Sequence, residues 1–151
     1  RFRWRDSNLI LRATSQLTPD PLLAMEKFVV GGHATVRGYR ENQFVRDNGF
    51  VASAEYRFPL FVDQDGYDRY NLKVAPFFDY GASWDEDDSG LVSTRTERIY
   101  SAGLGALWDP LPGLHVQVYY GKKLKDVDNP SDGLQDKGFQ FQVSYSPTAD
   151  W

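Results

Sequence analysis

Hydrophobic and polar residues alternate along most of this 151-residue chain. From Phe50 the even positions read Phe50, Ala52, Ala54, Tyr56, Phe58 and Leu60, with Ser53, Glu55 and Arg57 between them. A period of two puts successive side chains on opposite faces, so the segment predicts a strand with one apolar and one polar face. The same rhythm runs through Tyr70–Trp84, Tyr100–Trp108, Leu114–Tyr120 and Phe139–Tyr145, and through an earlier strand at roughly Leu9–Leu17. Helical spacing is weak, and Leu22–Lys27 is the only candidate for a helical piece. Connections near Arg5–Asn8, Val62–Arg69 and Asp109–Gly113 are short, whereas Thr18–Asn48, Asp85–Thr96 and Lys122–Lys137 are long. An all-β, antiparallel architecture follows.

Each segment is about ten residues, the length a tilted membrane strand needs. Aromatic residues cluster near the segment ends, at Phe50, Tyr70, Trp84, Tyr100, Trp108, Tyr120 and Tyr145. Interface girdles of a membrane barrel fall at such positions, and its outer loops and inner turns alternate in length. A soluble antiparallel barrel or sandwich that binds a small molecule fits the bare strand pattern as well.

Composition narrows the choice only in part. There is no run of about twenty apolar residues for a membrane helix, and mean hydropathy is −0.53. A transmembrane barrel also averages out hydrophilic, so that value does not imply a soluble protein. Net charge is −4, which disfavours nucleic acid as a partner. No cysteine is present, so disulfides and thiolate metal sites are excluded. The chain opens Arg1-Phe2-Arg3-Trp4 in mid-pattern, without a signal peptide, as a cut inside a strand would.

Candidate enzyme chemistry is sparse. His33 and His115 are the only histidines, and no G-x-S-x-G accompanies them, so no nucleophile–base set is visible. Asp63-Gln64-Asp65-Gly66-Tyr67-Asp68 lacks the closing glutamate of a calcium loop and reads as a solvated turn. Asp85-Glu86-Asp87-Asp88 reads as a solvated charge run. Asn129-Pro130-Ser131 fails as a glycosylation site because of its proline. No catalytic residue, cofactor or metal site is expected.

A set of ordered motifs carries more. Glu26-Lys27-Phe28-Val29-Val30-Gly31-Gly32 leads to Val36-Arg37-Gly38-Tyr39, then to Asp47-Asn48-Gly49-Phe50. Phe77-Phe78-Asp79-Tyr80-Gly81 follows, and Tyr120-Gly121-Lys122 after it. In this order and spacing the chain resembles the two-partner secretion transporters, the hemolysin secretion/activation family of the BamA-type outer-membrane barrel superfamily. The resemblance covers essentially the whole chain.

It implies a sixteen-stranded barrel with N-terminal POTRA domains in the bacterial outer membrane. Residues 1–151 would be the C-terminal barrel portion, about six strands plus a stub, with loop 18–48 folded into the lumen. The implied function is export of an unfolded exoprotein, a hemolysin or adhesin, with no cofactor and no catalysis. Implied partners are that exoprotein, outer-membrane lipid and lipopolysaccharide, and the barrel-assembly machinery. The competing function within the superfamily is assembly or insertion of outer-membrane proteins. That branch typically carries phenylalanine where Tyr39 stands. The terminal Trp151 and the in-strand Tyr145 are candidates for the aromatic sorting signal.

The resemblance names Val36, Arg37, Gly38 and Tyr39 as a transport-loop motif, and Phe77, Asp79 and Gly81 as its partner on the lumen wall. Asp79 shares parity with Lys73 and Ser83, so it faces the lumen while Phe78 and Tyr80 face lipid. A carboxylate so placed can hold Arg37 through charge-assisted, bidentate hydrogen bonds. Gly38 removes a Cβ where the loop tip approaches the wall, and Gly81, Gly103 and Gly105 thin that wall.

Overall fold

The computed structural model describes residues 7–61, 71–86, 95–111, 113–127 and 137–146. Among the described residues there are eight strands: β1 (Asn8–Gln16), β2 (Phe28–Val30), β3 (Phe44–Arg46), β4 (Asn48–Phe61), β5 (Asn71–Trp84), β6 (Glu97–Leu111), β7 (Leu114–Lys123) and β8 (Phe139–Tyr145). Six of them form one antiparallel sheet in the order β1-β4-β5-β6-β7-β8, and β2 pairs with β3 as a separate two-stranded sheet. The protein is all-β, with no helix among the described residues. Such a sheet is a partial barrel wall, with β1 and β8 each paired on one side only among the described residues.

The two faces differ as the alternation requires. One face, called inner here, carries Ser53, Glu55, Phe77, Asp79, Ser101 and Tyr119 and is covered by the segment between β1 and β4. The outer face is bare and apolar. Leu11, Phe78, Leu104, Trp108, Tyr120, Phe141 and Val143 are all exposed there, Phe141 at 78%. A contiguous apolar face of this extent marks contact with lipid or protein.

The covering loop has its own core. Val30, Val36 and Tyr39 pack with Val51 and Ile99, and Phe28, Phe44 and Val127 close around them. The β2–β3 hairpin within this loop is not predicted by the alternation, because three residues per strand carry too little pattern.

Several boundaries move. Residues 22–27 form no helix; the backbone makes a turn in which Glu26 N–H donates to Leu23 O at 2.8 Å. Six residues close too few helical hydrogen bonds to repay nucleation, and the Leu22 N–H is taken by Asp47 instead. The turn predicted at Asp109–Gly113 shrinks, since β6 runs to Leu111 and β7 starts at Leu114. Asn48 begins β4 rather than ending a loop. The segments 1–6, 62–70, 87–94, 128–136 and 147–151, and residue 112, lie outside the described residues. With them lie the calcium-like turn, part of the acidic run, the Asn129 tripeptide and the C-terminal tryptophan.

Candidate functional site

Arg37 sits at the tip of the covering loop and points into the inner face of the sheet. Its Nε and Nη2 donate to Asp79 Oδ2 and Oδ1 at 2.8 and 2.9 Å, and its own backbone N–H donates to Oδ2 at 3.0 Å. This is a fork-to-fork pair, which fixes orientation as well as charge. Arg37, Glu55 and Asp79 are 4%, 1% and 0% exposed. Charges at that depth are stable only when every group is met.

Two residues complete the pairing. Glu55 forms a second ion pair with the guanidinium through Nη1. Ser53 accepts from Nη2 at 3.2 Å and donates to Asp79 Oδ1 at 2.7 Å. The strand register explains their presence: Ser53 lies opposite Asp79, and Glu55 opposite Phe77, across the β4–β5 ladder. Glu55 also accepts from Arg57 Nε at 2.5 Å and from the Tyr119 hydroxyl at 3.3 Å.

Aromatic rings enclose the guanidinium. Its central carbon lies 3.7 Å from the Phe77 ring centroid and 4.8 Å from that of Tyr119. The two rings meet edge to face at 5.9 Å. A cation over such faces gains from the ring quadrupole, more so away from water. Gly103 and Gly105 leave the room: a Cβ at either would strike Phe77 or Tyr119.

The neighbours of Arg37 hold the tip from both sides. Val36 is fully buried in the loop core, and a Cβ on Gly81 would collide with Val36 and Val30. Gly38 has φ of 91°, and a Cβ there would stand 2.6 Å from the Gly121 carbonyl oxygen. Both the left-handed backbone and the close approach need glycine. The Tyr39 hydroxyl lies 2.7 Å from Lys125 O and 3.1 Å from Tyr100 O, and accepts from Lys125 N–H at 3.3 Å. The structure thus brings Val36, Arg37, Gly38 and Tyr39 against Phe77, Asp79 and Gly81.

A second polar cluster ties down the base of the loop. The buried Asp47 carboxylate accepts from the backbone N–H groups of Leu22 and Glu86 at 2.9 and 3.1 Å, and lies 3.0 Å from Lys27 Nζ. Asn48 exchanges hydrogen bonds with both polar backbone atoms of Thr18, at 2.6 and 3.2 Å, and donates to Glu86 Oε1 at 2.9 Å. Asp85 pairs with Lys27 and with Arg46 at 3.1 and 2.6 Å. Burial alone would push the Asp47 carboxyl up. The Leu22 N–H, the Lys27 ammonium and the Glu86 N–H outweigh it and hold the pKa below the ordinary carboxylate value.

Sequence reasoning placed Arg37 opposite Asp79 but missed Glu55, Ser53 and Tyr119 as participants, and it singled out Asp47 and Asn48 only as part of a motif, without their role at the loop base. Glu55 and Ser53 carry the right parity; only the register shows which of them reach Arg37.

No catalytic arrangement emerges among the described residues. The His33 ring lies 5.7 Å from that of Tyr119, tilted by 59°, while His115 pairs with Asp109 at 2.6 Å. Among the described residues no cluster of three or more potential ligands is suited to a metal.

A buried arginine on an inward-folded loop, clamped to one wall of an antiparallel sheet with a bare apolar exterior, narrows the families this chain can join. The profile of the Omp85 superfamily domain matches residues 4–146. The chain belongs to the Omp85 superfamily. No curated protein and no solved structure matches it significantly. Omp85 proteins are outer-membrane proteins of bacteria that translocate or assemble other proteins, and they are not enzymes. For this Omp85 chain the outer face is therefore the membrane-facing side of a barrel wall.

Proposed function

We propose that this Omp85 domain is the C-terminal part of a sixteen-stranded two-partner secretion transporter that passes an unfolded hemolysin or adhesin to the cell surface. In this reading loop 18–48 lies in the lumen, and Val36, Arg37, Gly38 and Tyr39 form its transport motif. Phe77, Asp79 and Gly81 form the wall motif that receives it. The partners are the exported protein, outer-membrane lipid with lipopolysaccharide, and the machinery that assembles the barrel.

The observation that carries the proposal is the bidentate Arg37–Asp79 pair, buried on the inner face. It pins a long loop inside the wall, where a passing chain must move around it. The six described strands leave two free edges, and closing a pore wide enough for a polypeptide takes more strands than these. The bare outer face argues against a soluble small-molecule barrel, because water would meet Phe78, Leu104, Trp108 and Phe141. Tyr39 favours secretion over assembly, since its hydroxyl has dedicated partners in Tyr100 and Lys125. A phenylalanine could not use them.

The experiment is export of the cognate exoprotein by the natural protein carrying Arg37→Ala or Asp79→Ala. Secretion should fall sharply while barrel levels in the outer membrane stay normal. Unchanged secretion at normal barrel levels overturns the assigned role.

A further inference from the structure

Beside the Arg37 cluster lies a cavity of about 140 Å³, between the loop and the inner face of β1, β4 and β7. Arg12 and Arg57 line it together with Thr14, His33 and Gln117. Among the described residues Glu55 is the one carboxylate in its lining. Three guanidinium groups, those of Arg12, Arg37 and Arg57, thus face two carboxylates, Glu55 and the Asp79 that lies behind Arg37. Arg37 is wholly committed to Asp79, Glu55 and Ser53. The surplus positive charge sits on Arg12 and Arg57.

We propose that this cavity binds a carboxylate side chain of an extended polypeptide, held between Arg12 and Arg57. The space admits a carboxyl group with accompanying water. Arg57 is already oriented, because its Nε donates to Glu55 at 2.5 Å. A planar guanidinium that keeps further N–H donors on its far side suits a second carboxylate. Arg12 approaches from β1, where it stands across the ladder from Ser53.

The site is coupled to the loop through one residue. Glu55 accepts from Arg57 and pairs with Arg37. A ligand carboxylate competes with Glu55 for Arg57 and so shifts the charge balance around Arg37. An acidic residue in a passing chain would thereby be sensed by the cluster that pins the loop. This sensing role rests on the transport reading; the binding site itself does not.

The test is calorimetric titration of the detergent-solubilised natural protein with capped hexaglutamate, hexaserine and hexalysine peptides. Hexaglutamate should bind and the other two should not. Arg12→Gln/Arg57→Gln should weaken binding by about tenfold or more. Lys73→Gln should leave it unchanged, since Lys73 lies on the same face, opposite Pro59 and Leu107 and outside the cavity lining. Unchanged affinity in the double variant, or equal loss in Lys73→Gln, overturns the proposal. Arg12→Gln alone leaves the Glu55 pairs intact and should weaken binding by about threefold or more. Full affinity in that variant also overturns it. A protein that binds hexaglutamate yet exports nothing supports the site and overturns only the transport reading.

Discussion

The tip and the base of the covering loop are both held by ion pairs, but in different surroundings. At the tip, Arg37, Glu55 and Asp79 are almost fully buried, and aromatic rings exclude water from them. At the base, Arg46 and Asp85 keep 38% and 35% of their side chains exposed. Only Asp47 and Asn48 are buried there, and they are met largely by backbone N–H and C=O groups. A buried pair costs much to break and contributes modest net stability, whereas an exposed pair contributes little either way. The tip is thus an all-or-none lock. The base is a hydrogen-bonded hinge whose exposed charges are dispensable.

Three substitutions probe that contrast in order of effect. Asp79→Ala leaves the Arg37 guanidinium buried with half its donors unmet. Denaturant unfolding in micelles should show a loss of about 3–5 kcal/mol, or release of the loop as a separate early transition. A loss no larger than that of a surface substitution would place the tip in the same class as the base. Asp47→Ala strands the Leu22 and Glu86 N–H groups, at about 1–3 kcal/mol. It should expose residues 18–27 to proteolysis while the tip stays closed. Protection identical to the unsubstituted protein would show that Asn48 holds the base without it. Arg46→Ala removes a half-exposed partner of Asp85 and should cost less than about 1 kcal/mol. A larger loss would mean that the base depends on its exposed charges.

Acid separates the hinge from its surroundings as well. Because the folded Asp47 carboxyl titrates below its unfolded value of about 4, its contribution is complete above that pH. It disappears as the pH falls through the lower folded value. Lys27 behaves in the opposite sense. Its hydrogen bonds to Asp47 and Asp85 outweigh desolvation and raise its pKa, so its contribution is complete below the unfolded value of about 10.4 and is lost as the pH rises through the higher folded value. Proteolysis of residues 18–27 should be slow from about pH 4 to pH 10 and faster outside that window. Cleavage that stays equally slow below about pH 4 and above about pH 10 would exclude Asp47 and Lys27 as the titrating groups.

Much of the fold was legible because a wall with lipid on one side imposes strict alternation. The faces of β4 to β8 could be assigned residue by residue, and with them the inward direction of Asp79. What alternation does not carry is register. Glu55 and Ser53 become partners of Arg37 only once Ser53 is known to lie opposite Asp79. The β2–β3 hairpin and the Asp47 hinge escaped for a related reason: both depend on tertiary contacts of an irregular loop, which leave no period in the sequence. Leu22–Lys27 misled because its apolar run looks helical in isolation, whereas its backbone is drawn to Asp47.

The Tyr39 hydroxyl has a consequence for the order of folding. Its partner at Lys125 is 86 residues away along the chain, and Asp79 is 42 residues from Arg37. Contacts of such separation form late, after the intervening strands have paired, because loop-closure entropy must first be met. The loop tip can close only on a wall whose β4 to β7 ladder is already in register. Its closure therefore reports completed pairing, and a wall with a slipped strand would leave the tip open.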